Sequence, residues 1–369
     1  MRVDEWGIVR RRMHSVRLGA EPLTAPEDVV GWFGAVQSQD YGPAKWSLGQ
    51  RCAGVTDPAV DRAFADGTIL RTHVLRPTWH FVLPADIRWM LELTAPRVHQ
   101  LNAHYYRQLG LDAALLERST RVLVDALSGS QQRTRKELRA ILAEAGITTD
   151  GPQLGYILMN AELNGVVCSG ALRGRQHTYA LLDERAPHAR GLPREEALAE
   201  VAVRFFTSHG PATAKDLRWW ASLTLAEIRE GLELAGSRLE RELVDGVEYW
   251  SAPLEPGPAA PSQVRHTPTV HLLQGYDEYV VAFSESRHLI NLAGAARTLA
   301  PDTLLTNGVL LLDGQLAGHW KRTPSRGAVL IEASLYAPLD DAQSRALGAE
   351  ADRHGAFLDA TASVVTTLL

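Results

Sequence analysis

The stretch "TILRTHVLRPTWHFV" (residues 68–82) decides how the first part of the chain folds. Its β-branched and aromatic residues read as two strands, broken at Arg76 and Pro77, since proline brings no N–H to a ladder. Upstream, residues 25–37 are predicted as a helix: Thr24 is a candidate N-cap, Pro26 suits the first turn, and Val29, Val30, Phe33 and Val36 form an apolar face. A second helix is expected to begin near Pro43 and carry Trp46 and Leu48, and a short one to cover 57–67. Helices followed by a two-stranded ribbon make the outline of a winged helix.

The outline returns further on. "SQQRTRKELRAILAEAGI" (130–147) and "GPQLGYILMNAELNGVVCSG" (151–170) suggest two helices, and "VVCSGALRGRQHTYALL" (166–182) a hairpin whose tip carries Arg173, Arg175 and Gln176. In a third pass, Gly210 and Pro211 separate a helix from "ATAKDLRWWA" (212–221), and "LERELVDGVEYWSA" (239–252) is a hairpin turning at Asp245 and Gly246. The linker "APLEPGPAAPSQ" (252–263), with four prolines, reads as an extended boundary. Beyond it, Asp313 and Gly314 mark a hairpin turn, "HWKRTPSRG" (319–327) a basic hairpin tip, and 339–356 a final helix. The expected fold is α+β: three tandem winged helix-turn-helix units (1–118, 119–190, 191–255) and a C-terminal β-rich part (256–369) carrying the basic hairpin.

At 369 residues the chain can bury a large core without disulfides or metals. It has no run of 18 apolar residues, so no membrane span is expected. Charges stand where a signal peptide would need its apolar segment, which argues for the cytoplasm. Cys52 and Cys168 are isolated, the histidines form no HExxH, and GxSxG, GxGxxG and Walker A patterns are missing, so no metal site and no cofactor are expected. The net charge of −5 does not announce a nucleic-acid binder. Basic residues are nevertheless clustered, at Arg10, Arg11, Arg12 and Arg17, at Arg133, Arg135, Lys136 and Arg139, and at Lys321, Arg322 and Arg326. Each cluster is either a solvated face or a phosphate site.

"VQSQ" (36–39) puts two glutamines on either side of one serine. Side chains two apart diverge on a helix and share a face in extended backbone, so Gln37 and Gln39 converge only if the helix has ended by residue 37 or 38. A pair of amides can then hold a water molecule or a base edge without bringing a charge; the alternative is a polar turn ending a helix. "GYDEYV" (275–280) brings Asp277 and Glu278 together; read as a strand, it points them to opposite faces, where they orient basic groups of a neighbouring unit.

"VQSQ", "RTHVLRPTWHFV" and "GYDEYVVAFSESR" (275–287), in this order, resemble the winged-helix DNA glycosylases of the AlkZ and YcaQ type, over essentially the whole chain. The resemblance implies three tandem winged helices and a β-rich part shaped into a basic concave surface for duplex DNA. It implies a catalytic Gln-x-Gln or Gln-x-Asp motif, which Gln37 and Gln39 match in the first form; Ser38 departs from the apolar residue often found between them. It also implies a hairpin near the DNA, assigned to His319, Trp320, Lys321, Arg322 and Arg326. Lys45, Arg133, Arg135, Lys136, Arg173 and Arg175 complete the expected DNA contacts.

The expected partner is duplex DNA carrying alkylated or crosslinked purines, bound by a monomer. Amides are too weak as acids and bases to move a proton early in the reaction, so they suit a base that is already cationic. They could fix a water and lay a carbonyl dipole against the developing positive charge. The resemblance extends this to azinomycin-type interstrand crosslinks. The rival reading is a winged-helix transcriptional regulator without chemistry.

Overall fold

The structure is a computed structural model that describes residues 4–253, 267–296 and 307–369. The proline-rich boundary expected at 252–263 lies outside these residues, apart from its first two. No helix among them is long and apolar enough to cross a membrane.

The first segment runs α1 (Glu5–Ser15), α2 (Pro26–Phe33), β1 (Ala35–Gln37), α3 (Tyr41–Gly49), α4 (Asp57–Asp66), β2 (Leu70–His73) and β3 (Trp79–Val82). The helix expected over 25–37 is shorter. Gly34 takes a φ of 80°, a left-handed geometry open to glycine because it has no Cβ, and the chain leaves the helix there. Residues 35–37 instead form a strand, antiparallel to β3 with Gln37 opposite His80, in the sheet order β1-β3-β2.

The second segment holds α5 (Ile87–Gln108), α6 (Ala113–Leu127), β4 (Arg133–Thr134), α7 (Arg135–Glu144), α8 (Gln153–Leu163), β5 (Val167–Arg173) and β6 (Gln176–Leu181), its strands ordered β4-β6-β5. Thr134 and Glu137 cap α7 reciprocally. The third contains α9 (Leu182–Arg185), α10 (Arg194–Ser208), α11 (Ala214–Ala221), α12 (Leu225–Ala235) and the hairpin β7 (Glu240–Val244) and β8 (Val247–Ser251). The hairpin turns at Asp245 and Gly246, whose φ values of 48° and 81° are those of a tight two-residue turn.

The last segment comprises β9 (Val270–Leu273), α13 (Glu278–Val281), β10 (Gly308–Leu312), β11 (Gln315–Ser325), β12 (Ala328–Leu335), α14 (Asp341–Phe357) and β13 (Thr361–Leu368). These strands form one sheet in the order β13-β12-β11-β10-β9, antiparallel except for β12 and β13, which α14 connects in parallel. The expected strand through "GYDEYV" is corrected here: β9 stops at Leu273, and Asp277 caps the short helix α13 by accepting the Tyr279 N–H at 3.0 Å. An aspartate after a turning residue, here Tyr276 at φ 66°, favours a helix start over continued pairing.

Burial joins segments that are far apart in sequence. One continuous core runs from Ile8, Phe33, Trp46 and Phe64 of the first segment into Leu272, Leu310, Ile331 and Phe357 of the C-terminal sheet. The Trp46 indole donates to the Leu272 carbonyl at 2.7 Å inside this core. A second core packs α5 and β2 against α10 and α12, and a third holds α6, α7 and α8 over β5. The first segment and the C-terminal sheet therefore form one support, and β1 ends at its edge.

Candidate active site

Gln37 is the last residue of β1, and the Ser38 N–H still pairs with the Trp79 carbonyl at 2.8 Å. Beyond the strand the chain bends at Gln39 and Asp40, and Gln37 and Gln39 line two different clefts. Ser38 is fully buried, and its carbonyl accepts Arg71 Nε and Nη2 at 3.1 and 3.0 Å. The pair is thus held from behind through its own backbone.

The two amides differ sharply in setting. Gln37 is 3% exposed, its N–H donates to Glu278 Oε1 at 2.8 Å, and its Oε1 accepts Arg76 Nη2 at 2.6 Å. Gln39 is exposed, and its Oε1 accepts the Trp79 N–H at 3.3 Å.

Behind Gln37 lies a buried polar network. Glu278 Oε2 accepts Trp220 Nε1 at 3.0 Å and His209 Nε2 at 3.1 Å, while Ser208 Oγ lies 2.9 Å from His209 Nδ1. Burial by itself would raise the Glu278 carboxyl, but the His209 and Gln37 hydrogen bonds prevail and hold it down at about 2, so it stays anionic. His80, opposite Gln37, is pushed down to about 3 by burial and by the Arg76 charge, so it is neutral at physiological pH. The neighbouring Asp277 turns the other way. It accepts Arg51 through both oxygens at 2.8 and 2.9 Å, together with Ser47 and Gln50, and ties α3 to the C-terminal segment. The expectation that these acids orient basic groups of a neighbouring unit holds for Asp277, which takes Arg51 from a helix cap rather than a strand, while Glu278 holds Trp220, His209 and the Gln37 N–H.

Two clefts meet at the glutamines. One, of about 1150 Å³, is lined by Gln39, Arg71 and Trp79, by Arg135, Lys136 and Arg139 of α7, by Arg175 from the β5–β6 tip and by Arg322 of β11. The other, of about 860 Å³, is lined by Gln37, Arg76, Arg97, Arg218 and Trp219 and by Lys215, which is paired with Glu285 at 2.5 Å. Cations from separate segments thus converge on both sides of the pair, as a polyanion requires.

Other expected contacts fare differently. Lys45 is corrected: it is buried, and Asp57 and Asp61 hold its ammonium at 2.6 and 2.9 Å, so its charge is already neutralised. Trp320 is corrected too, because its side chain faces the core and its indole donates to the Leu273 carbonyl at 2.7 Å. His319, next to it on β11, is half-buried with Nε2 2.8 Å from the Tyr336 hydroxyl. Lys321 and Arg326 are exposed on the β11–β12 hairpin, Lys321 within 3.2 Å of Glu332. Arg133 is half-buried in β4, whereas Arg173 is exposed and bonded to Glu137 and the Gln132 carbonyl, each at 2.7 Å. The Arg10–Arg17 cluster is partly structural, since the buried Arg12 donates to the Pro211 carbonyl at 2.7 Å and Arg11 pairs with Glu242.

Sequence reading missed Arg76, His209 and Trp220, and the second cleft's Arg97, Lys215 and Arg218. Only the Arg76–Pro77 break and the "GYDEYV" acids signalled any of this, and neither names its partners. Among the described residues no group of three or more His, Cys, Asp and Glu could hold a metal.

The model of the family described as DNA glycosylase AlkZ-like matches residues 30–357. An interstrand DNA cross-link repair glycosylase of Streptomyces sahachiroi is 23% identical over 315 residues, covering 82% of this chain and 84% of that protein. The solved structure of the Streptomyces sahachiroi DNA glycosylase AlkZ superimposes with a TM-score of 0.78 at 20% identity, over 99% of this chain and 100% of the other. The matched span includes both glutamines, β3 and α13 as well as most of the C-terminal sheet, and the chain belongs to the AlkZ-like DNA glycosylase family.

Proposed function

We propose that this protein is a monofunctional DNA glycosylase that hydrolyses the N-glycosidic bond of cationic alkylpurines and unhooks azinomycin-type interstrand crosslinks, starting base excision repair. The observation that carries the reading is a pair of neutral amides, Gln37 and Gln39, at the junction of two cation-lined clefts. The chain is read as tandem winged helices at 1–118, 119–190 and 191–255, with the β-rich part from 256 onward; the first of these boundaries falls within α6, so α5 and the start of α6 go with the first unit. In this reading Arg135, Lys136 and Arg175 hold phosphates from the second unit, with Arg133 and Arg173 beside them. Lys321, Arg322, Arg326 and His319 do so from the C-terminal hairpin.

The chemistry follows from what amides lack. Base excision develops positive charge on the sugar, and an uncharged leaving base also needs a proton. Neither glutamine can supply that proton. N7-alkylguanine and N3-alkyladenine are already cationic, so the N9–C1′ electron pair leaves with a neutral base, water oxygen bonds to C1′, and its proton passes to solvent. Uracil and other neutral lesions should be poor substrates.

A crosslinked purine is tethered to the opposite strand and cannot swing freely into a deep pocket. The open clefts beside the pair suit such a substrate, and cutting one glycosidic bond would release the strands and leave an abasic site. Lys45, the lysine nearest the pair in sequence, is held by two carboxylates, and Lys215, which lines the Gln37 cleft, is paired with Glu285 at 2.5 Å; with Lys136 of the wide cleft assigned to phosphate, hydrolysis without strand cleavage is expected. Borohydride trapping of a protein–DNA adduct would contradict this.

The test is release of N7-methylguanine and unhooking of an azinomycin-type crosslink in defined duplexes by the wild-type protein. Folded, DNA-binding wild type that released no base from either would overturn the reading and favour a winged-helix regulator, which single-operator specificity would then identify.

A further inference from the structure

Resting on the glycosylase reading above, we propose that Arg76 is a positioning residue that locks the Gln37 amide with its carbonyl turned away from the substrate, so that Gln37 acts through its NH2 group. Donors and acceptors fix the orientation. A guanidinium carries only donors, so the Gln37 atom 2.6 Å from Arg76 Nη2 must be the carbonyl oxygen; the flipped amide would set two donors against each other. The Gln37 amide nitrogen therefore points the opposite way. It bonds to no protein group among the described residues, and Gln37 lines the cleft shared with Trp219.

The lock is itself held. Arg76 is 8% exposed in the loop between β2 and β3. His80 Nδ1 donates to the Thr78 carbonyl at 3.0 Å, which leaves its Nε2 as an acceptor facing Arg76 Nη2 at 3.5 Å. Glu278 holds the Gln37 N–H at 2.8 Å and provides the negative charge that favours a buried guanidinium. Backbone and side chain of Gln37 are thus pinned by separate groups. Gln39 is oriented the same way more loosely, since its oxygen accepts a backbone N–H that cannot itself accept.

This replaces the expected carbonyl dipole at Gln37 with a donor. An NH2 group holds a water through one oxygen lone pair and leaves the other free for C1′. It neither takes the proton nor adds negative charge.

The experiment compares single-turnover release of N7-methylguanine from a defined duplex by wild type, Arg76→Ala, Arg76→Lys, Gln37→Ala, Gln37→Glu and the Arg76→Ala/Gln37→Ala double variant. Duplex affinity and thermal melting are measured alongside. Arg76→Ala and Gln37→Ala are each expected to lose roughly 10- to 150-fold in rate, the scale of one hydrogen bond to a developing charge, with duplex affinity nearly unchanged. The double variant should be no slower than Gln37→Ala, because both changes remove one interaction. Guanidinium ion should restore Arg76→Ala and not Gln37→Ala, and Arg76→Lys should lose less than Arg76→Ala. Gln37→Glu keeps an oxygen for Arg76 but has no NH2, so it should be as slow as Gln37→Ala.

A wild-type rate in folded Arg76→Ala, losses that multiply in the double variant, or a Gln37→Glu rate at or above wild type would each overturn the proposal. If Arg76→Ala does not fold, the Gln37→Glu comparison decides it. Wild type that releases no base would remove the glycosylase reading and this proposal together. Release by wild type with any overturning result above would remove only this proposal.

Discussion

Gln37 and Gln39 are the same residue two positions apart, one ending a strand and the other in the bend that follows, and their surroundings differ. Gln37 is buried against Glu278 and Arg76, and behind those stand His209, Trp220 and Ser208. Gln39 sits exposed at a cleft lined by cationic side chains, with one backbone hydrogen bond at 3.3 Å. A buried amide whose backbone N–H and carbonyl are both held has its orientation and position imposed by neighbours, whereas one at an exposed surface reorients at little cost. Two residues of one type are thus held by different means, one by buried side chains and the other by a single backbone N–H.

The largest effect is expected from removing the support of the buried glutamine. Glu278→Ala leaves Gln37 N–H, His209 and Trp220 without their acceptor, and each orphaned buried donor costs about 1–3 kcal/mol. A melting curve should therefore report severe destabilisation; a small shift would mean that the Gln37 side is not held as described. The matching change on the open side, Gln39→Ala, should stay within about 0.5 kcal/mol of wild type, as exposed positions generally do.

Activity should divide the molecule differently. Both Gln37→Ala and Gln39→Ala are expected to slow base release by roughly 10- to 150-fold with the fold retained. A wild-type-like rate in either would remove that glutamine from the site, and the contrast between them would then be one of packing alone.

Acid provides a graded version of the same contrast. His80 titrates at about 3 in the folded protein against an ordinary value of 6.5, so the unfolded chain binds more protons as pH falls, and stability declines from about pH 6.5 downward. Glu278, held down at about 2 against 4.5, adds stability that is present above about pH 4.5 and is lost as pH falls toward 2. Melting temperature followed from about pH 8 to about pH 3 should fall on the acid side. Base release in the folded range should stay flat between about pH 7 and 8, because the amides do not titrate and both groups keep one charge state there. A bell-shaped profile with a limb in that range would point to a titrating catalyst not described above.

The smallest effects belong to single cations of the wide cleft. Arg135→Ala or Lys136→Ala should weaken duplex binding evenly across sequences and reduce the slope of log affinity against log salt by about 0.9 for each phosphate that the deleted charge neutralises. An unchanged slope would exclude that residue from phosphate binding. Lys45→Ala, by contrast, removes a buried ion pair and should register in melting rather than in the salt slope.

Local structure was legible in the sequence because local chemistry decides it. The turns at Asp245–Gly246 and Asp313–Gly314 and the break at Arg76–Pro77 lie where those residues allow the backbone to turn or stop pairing. The helix ends a few residues before its apolar spacing does, because Val36 continues that spacing after Gly34 has already turned the chain. "GYDEYV" reads as a strand in sequence because periodicity cannot distinguish a cap from an extended run over so few residues. Lys45 and Trp320 were read by residue type, which says nothing about the partners that bury them.

The α+β composition of the fold, the hairpin turns and the nearness of two amides along the chain follow from local sequence, since each depends on residues within a few positions of one another. Tertiary structure alone decided that the C-terminal sheet completes the core of the first segment, that Glu278 reaches Gln37 across 241 residues, and that Arg76 rather than solvent meets its carbonyl. Those contacts arise when apolar burial brings distant segments together, and the polar groups sealed in with them must then find partners wherever the packing leaves them.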